Sequence, residues 1–379
     1  MLGQNVAMRS APAPRPALAA LPLYKPGKSA EVAMAEHSLE SAIKLASNEN
    51  PFAPLPSVRH AIADATSLLN RYPDHRATAL REALARRFGL TSDFVAVGCG
   101  SVGLLQQLLL SFVDPGQEVL YAWRSFEAYP IYVSTVGGVS VQVPLVDSHF
   151  DMAALTAAIT PNTRLVFITS PNNPTGTVVT HEELVIVLEQ VPDGCLVVLD
   201  EAYCEYVTSK TVPRALELLL EYPNLVVLRT FSKAYGLAAL RVGYALAHPD
   251  VVGSIDRTLI PFAVNGLGQT AALASLAADD ELAERVASTL CERDRVAAAI
   301  AAMGFSLPDP QANFVWLPAG ESAARLTLGL EERGVVSRPF PGEGVRVTIG
   351  SVEENDLFLA AFAEVDATSD LRSHWRAHA

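Results

Sequence analysis

The chain is 379 residues long, half of them hydrophobic and 18% charged, with a formal net charge of -13. That length can hold one large and one smaller hydrophobic core. The acidic balance excludes a nucleic-acid binder built on a basic face. No stretch is long and apolar enough to span a bilayer, so the expectation is a cytoplasmic protein with neither nucleic-acid nor membrane partners.

The N-terminal "MLGQNVAMRSAPAPRPALAALPLYKPGK" is rich in Pro and Ala and has no continuous apolar core, so it does not read as a signal peptide. Disorder is expected to about Pro16, because Pro interrupts helix and strand alike. A Pro-rich turn then leads into a helix from near Ser57. "ATALREALARRFG" predicts an amphipathic helix that stops at the C-cap glycine Gly89. Seven apolar runs follow: "FVAVGC", "EVLYAW", "VSVQVPL", "RLVFITS", "CLVVLDEAY", "NLVVLRTFS" and "RVGYALA". Several are continuous Val/Leu/Ile runs, the pattern of strands buried on both faces under helices. The interleaved helices are "LLQQLLLSFV", "DMAALTAAI", "HEELVIVLEQV" and "PRALELLLEY". After about Val251 the pattern changes to a long helical stretch ending at Gly304, then "ANFVWLP", a further helix, the short strands "VVSRPF" and "GVRVTIG", and a last helix. The expected organisation is an arm over 1–45 that joins a small α+β domain, a large domain over 46–265, and the small domain over 266–379.

Cys99, Cys195, Cys204 and Cys291 form no C-x-x-C pair and read as free thiols. His374 and His378 have i,i+4 spacing but no third ligand, so no metal is expected.

In an open parallel sheet, ligands bind at the carboxyl ends of strands. There the chain places "SPNNPTG" with Asn173, "DEAY" with Asp200 and Tyr203, "TFSKAYGLAALRVGY" with Thr230, Ser232, Lys233 and Arg241, and the loop "VAVGCGSVG". Each residue has a bland alternative: a solvated turn lysine, an Asp that caps a helix, an Asn that makes a turn. Against these, a desolvated lysine near a second cation has a lowered pKa and can form a Schiff base, and a buried carboxylate requires a partner. The loop fits G-x-G-x-x-G through Gly98, Gly100 and Gly103. A dinucleotide site also wants an acid at the end of the next strand. Trp123 and Arg124 stand there, and Glu127 is the nearest acid.

Taken together, these motifs resemble those of fold-type I pyridoxal-phosphate aminotransferases, in the histidinol-phosphate and aromatic amino acid branch. The likeness runs from "LPLYKPGK" to "VRVTIG". It implies an α/β fold with a mostly parallel seven-stranded sheet in the large domain plus the smaller α+β domain, bound pyridoxal 5'-phosphate, and a homodimer with shared active sites. It implies that Lys233 forms the Schiff base and shuttles the proton between substrate Cα and cofactor C4′. Asp200 would pair with the ring nitrogen. Tyr203 and Asn173 would bind the phenolic oxygen, and Phe126 would stack on the ring. Gly100, Ser101, Val102, Ser232, Arg241 and Thr230 would hold the phosphate, with Tyr72 reaching the partner subunit's. Arg346 would grip the substrate carboxylate, although outside this resemblance it reads as a surface strand arginine. Tyr24, Asn48, Asn173 and Arg338 would complete the substrate site, with an aromatic side chain packing on Tyr24, Phe126 and Tyr129.

"GCGSV", "WRSFEAYP" and "QANFVWLPAG" resemble the aromatic (phenylalanine) aminotransferases, with 2-oxoglutarate or an aromatic keto acid as amino acceptor. Ser101-Val102-Gly103 stands where histidinol-phosphate aminotransferases carry Ser/Ala-Asp-Glu. Histidinol phosphate remains the alternative donor through Arg338, and a decarboxylase or lyase of the same fold is a further alternative.

Overall fold

The computed structural model describes residues 12–15, 18, 21, 27–369, 371 and 375. Tyr24, the His374/His378 pair and part of the N-terminal arm lie outside the described residues. The strands, in chain order, are β1 (Ile43–Lys44), β2 (Val95–Cys99), β3 (Glu118–Trp123), β4 (Val139–Val146), β5 (His149–Phe150), β6 (Thr163–Thr169), β7 (Leu196–Asp200), β8 (Leu225–Thr230), β9 (Val242–Ala247), β10 (Phe314–Leu317), β11 (Val335–Val336), β12 (Arg338–Phe340) and β13 (Gly344–Thr348).

The large sheet has the order β2-β9-β8-β7-β6-β3-β4-β5. All seven predicted strands are in it. The eighth, β5, is a two-residue strand that folds back antiparallel on β4 and is too short to leave a periodic signal. Strands β8, β7, β6, β3 and β4 run parallel, and β9 is antiparallel to both its neighbours. Continuous apolar runs are explained by the two cores. Side chains alternate across a strand: Val197 and Leu199 enter one core while Leu196 and Val198 enter the other. Such a strand has no polar face to spare.

The carboxyl ends of β2, β6, β7 and β8 share one edge, and the start of β9 joins it because β9 runs the other way. Thr169, Asp200, Thr230 and the Gly100 turn therefore converge by topology.

The long predicted helical stretch is two helices, Gly266–Leu276 and Asp279–Ala302. The break at Ala277–Ala278 is followed by Asp279, Asp280 and Glu281, whose charges suit the first turn of a new helix. Ala271, Ala272 and Leu282 pack into the large-sheet core, while Val296 and Ile300 pack with β10 and β13 in another core. That third core is built on the antiparallel sheet β10-β13-β12, with Leu45 as a contributor from the N-terminal side. Strand β1 pairs in parallel with β11. Among the described residues no helix is long and apolar enough to cross a membrane.

Gly243 on β9 backs directly onto the turn before the helix Gly100–Phe112: a Cβ there would run into the backbone of Gly100 and Ser101. Gly243→Ala is expected to cost about 1–3 kcal/mol, as overpacking does. It should lower the melting temperature, followed by circular dichroism. An unchanged melting temperature would show that the turn can move aside.

Candidate active site

The strand edge opens into a cavity of about 220 Å³ between the large sheet and β12–β13. Lys233, Asp200, Tyr203, Asn173, Thr230, Ser232 and Arg241 line it, as do Ser101, Val102, Phe126, Asn48, Arg338 and Arg346. Gly100 stands one position before the lining residues, with φ +72° and space that only a missing Cβ leaves for the Arg241 guanidinium.

Asp200 ends β7 and is 6% exposed. Its Oδ2 accepts from the Tyr129 hydroxyl at 3.0 Å and its Oδ1 accepts from the Ala202 N–H at 3.2 Å. Burial pushes its carboxyl up to about 6, and those two hydrogen bonds hold it from rising further. Lys233 donates from Nζ to the Ser47 and Asn48 carbonyls, each at 3.2 Å. Burial, then the positive charge of Arg346, pushes its ammonium down to about 7. A near-neutral amine is the chemical requirement for attack on an aldehyde.

The Tyr203 hydroxyl accepts from Asn48 Nδ2 at 2.9 Å. Asn48 adopts φ +53° and is tied to Thr348 on β13 by its own N–H at 2.9 Å. Arg346, 7% exposed, donates to the Asn173 side-chain oxygen and, at 2.6 Å, to the Ala46 carbonyl. With Oδ1 of Asn173 taken by an arginine, its NH₂ is the end that can donate to a ligand. Arg241, also left-handed at φ +57°, lies 3.4 Å from Ser232 Oγ. Its guanidinium and the N-terminus of the helix Gly100–Phe112 face one region, a combination that suits an anion.

One expectation needs correction. Tyr129 does not face the cavity; it is fully buried, stacked on Phe167 with ring centroids 4.7 Å apart, and it serves Asp200 from behind. Arg338 lines the cavity, paired with Glu127 at 2.6 Å. Tyr72 is 82% exposed and stacked on Phe262 at 4.6 Å, outside this chain's own cavity. The cysteines are free as expected, with Cys99 and Cys291 exposed. Sequence reasoning missed Thr169, whose hydroxyl pairs with Tyr129 at 2.8 Å and receives the Ser125 hydroxyl at 3.1 Å. It is the last residue of "RLVFIT", so the strand-end rule itself could have found it.

Residues 40–362 match the model of a family described as aminotransferase class I and II. The chain belongs to this family. It is 54% identical over 351 residues to an aromatic amino acid aminotransferase of Thermobifida fusca, covering 93% of this chain and 96% of that protein. It is 51% identical to one of Streptomyces avermitilis, over 92% and 96%. Among solved structures it is similar to histidinol-phosphate aminotransferase from Sinorhizobium meliloti in complex with pyridoxal-5'-phosphate, with TM-score 0.86, 31% identity, and coverage of 95% of this chain and 99% of that one. As in other members of the aminotransferase family, the cofactor is pyridoxal 5'-phosphate. The cavity fits it: a cation with a helix start for its phosphate, a buried carboxylate for its ring nitrogen and an amine for its aldehyde.

The lowered lysine pKa has a direct consequence. The rate at which cofactor-free protein combines with pyridoxal phosphate, followed by loss of free-aldehyde absorbance, should rise with pH and level off with a midpoint near 7. A midpoint above pH 9 would show that Lys233 is not desolvated as its surroundings require.

Proposed function

We propose that this aminotransferase transfers the amino group of an aromatic L-amino acid to 2-oxoglutarate. The observation that carries the reading is Lys233 and Asp200 in one cavity with Arg346, at strand ends that nothing but the fold brings together. Relatives named aromatic amino acid aminotransferase, at 50–54% identity over more than nine-tenths of the chain, support the substrate class.

Bound pyridoxal phosphate supplies an electron sink conjugated to the substrate Cα. The chain's residues do the rest. Lys233 Nζ would carry the proton that leaves the substrate Cα. The Asp200 carboxylate, ionised above about pH 6, would hold a proton on the ring nitrogen. Tyr203 and Asn173 would hold the phenolic oxygen, and Phe126 would pack against the ring. Arg241, Ser232, Thr230 and the turn at Gly100, Ser101 and Val102 would hold the phosphate. Arg346 takes the substrate α-carboxylate by a bidentate pair, with Asn48 and Asn173 beside it. The pairing of Arg338 with Glu127 keeps this arginine from meeting a substrate phosphate as a free cation, which favours an aromatic donor over histidinol phosphate.

A homodimer completes this reading. Tyr72 and Phe262 stack in the open, and Leu68, Leu69 and Ile260 nearby in sequence are at least 65% exposed. Such apolar exposure marks an interface, and Tyr72 would cross it to the partner's phosphate. The free cysteines fit a reducing cytoplasm.

With cofactor loaded, phenylalanine should convert it to pyridoxamine phosphate, followed by absorbance, faster than histidinol phosphate does; the reverse order overturns the aromatic reading. Lys233→Ala should abolish conversion. Arg346→Ala should raise KM for every amino and keto acid by roughly tenfold or more, the value of a lost charged hydrogen-bond pair. A loss confined to one substrate would place Arg346 in the side-chain pocket. Sedimentation should give twice the 40.4 kDa chain mass; a monomer that retains full activity would exclude shared sites.

A further inference from the structure

Arg338 on β12 lies directly opposite Arg346 on β13 in antiparallel register, and both line the cavity. Like charges opposed across a sheet are destabilising, so each needs compensation. They receive it differently. Arg346 gives its two Nη groups to uncharged oxygens of Asn173 and Ala46. Arg338 gives Nη2 at 2.6 Å and Nε at 3.2 Å to a single carboxylate oxygen, Glu127 Oε2.

Glu127 is held in place from both sides. It is the cap residue of the helix Ala128–Thr135, which buries Tyr129. Two residues earlier, the Ser125 hydroxyl bonds to Thr169 and Asn172, at 3.1 and 2.8 Å. Glu127 thus lines the cavity wall, with its side chain 33% exposed against 14% for Arg338.

We propose that Glu127 selects substrates by the charge at the end of their side chain. This rests on the aminotransferase reading above and adds its specificity determinant. By occupying Arg338, Glu127 removes the positive charge an anionic tail would seek. A phosphate or distal carboxylate that enters must displace Glu127 from Arg338 and then lie beside that displaced carboxylate. An uncharged aromatic ring leaves the pair intact. The same cost falls on both sides of the reaction: on histidinol phosphate as donor and on 2-oxoglutarate as acceptor, while phenylalanine and phenylpyruvate avoid it.

Two variants with opposite expected signs test this. Glu127→Gln keeps size and hydrogen bonding and removes the charge. It should raise kcat/KM for histidinol phosphate and lower KM for 2-oxoglutarate by about tenfold, equal to ~1.4 kcal/mol, with phenylalanine and phenylpyruvate changed by less than about twofold. Arg338→Gln leaves the carboxylate uncompensated and should worsen both anionic substrates by about tenfold or more, and by more than it worsens phenylalanine. Parallel changes in neutral and anionic substrates, or no change in the anionic ones, would overturn the proposal and leave Glu127 as compensation for the paired arginines. If wild type fails to use phenylalanine, the aromatic reading falls. The two acceptors still test Glu127 with whichever donor the enzyme takes.

Discussion

A carboxylate buried at the end of a central strand is the constraint on which the site depends. Asp200 cannot sit at the tip of β7 unpaired, because an isolated buried charge costs far more than a fold of this size can spare. Tyr129 and the Ala202 N–H supply part of the compensation from within the chain. A protonated ring nitrogen in the cavity would supply the remainder. The wall behind Asp200 is organised to this end: Phe167 stacks on Tyr129, and Thr169 links Tyr129 to Ser125 and so to Asn172. These bonds are buried, so they act in a low-dielectric setting where hydrogen bonds orient groups strongly.

Opposing this single acid is a surplus of cations. Lys233, Arg241, Arg338 and Arg346 line one cavity in which, among the described residues, Asp200 and Glu127 are the acids. Burial first, and then the positive charges of Arg346 and Arg241, hold the Lys233 amine near neutrality. The surplus also makes the cavity avid for anions, and the family's cofactor and substrates bring a phosphate and carboxylates. The surplus positions can be sorted by partner. Arg241 faces a helix start, Arg346 donates to the oxygens of Asn173 and Ala46, and Arg338 is matched with the carboxylate of Glu127. Stability is traded for function here, as at many active sites.

Much of this was legible in the residues alone. Strands β2, β3, β4, β6, β7, β8 and β9 announced themselves as apolar runs, and the strand-end rule selected Asn173, Asp200, Thr230 and Lys233. What escaped had weak local signals. Strand β5 has two residues, too few for any period. The break between the helices ending at Leu276 and starting at Asp279 lies in an Ala-rich run that favours helix throughout. Tyr129 looked like a cavity aromatic because its neighbour Phe126 is one; the helix that starts at Ala128 turns it inward.

The sequence by itself determined which faces are buried and which polar residues stand at strand ends, because burial on both sides demands continuous apolar runs and a turn must follow them. Only the tertiary structure decided who meets whom. Lys233 rests on the carbonyls of Ser47 and Asn48, 185 or more positions away, and Arg338 meets Glu127 across 211. Such contacts follow from strand order and from the seating of β12 and β13 over the sheet edge. No local propensity encodes them, since each partner would be an ordinary surface residue in any other packing of the same elements.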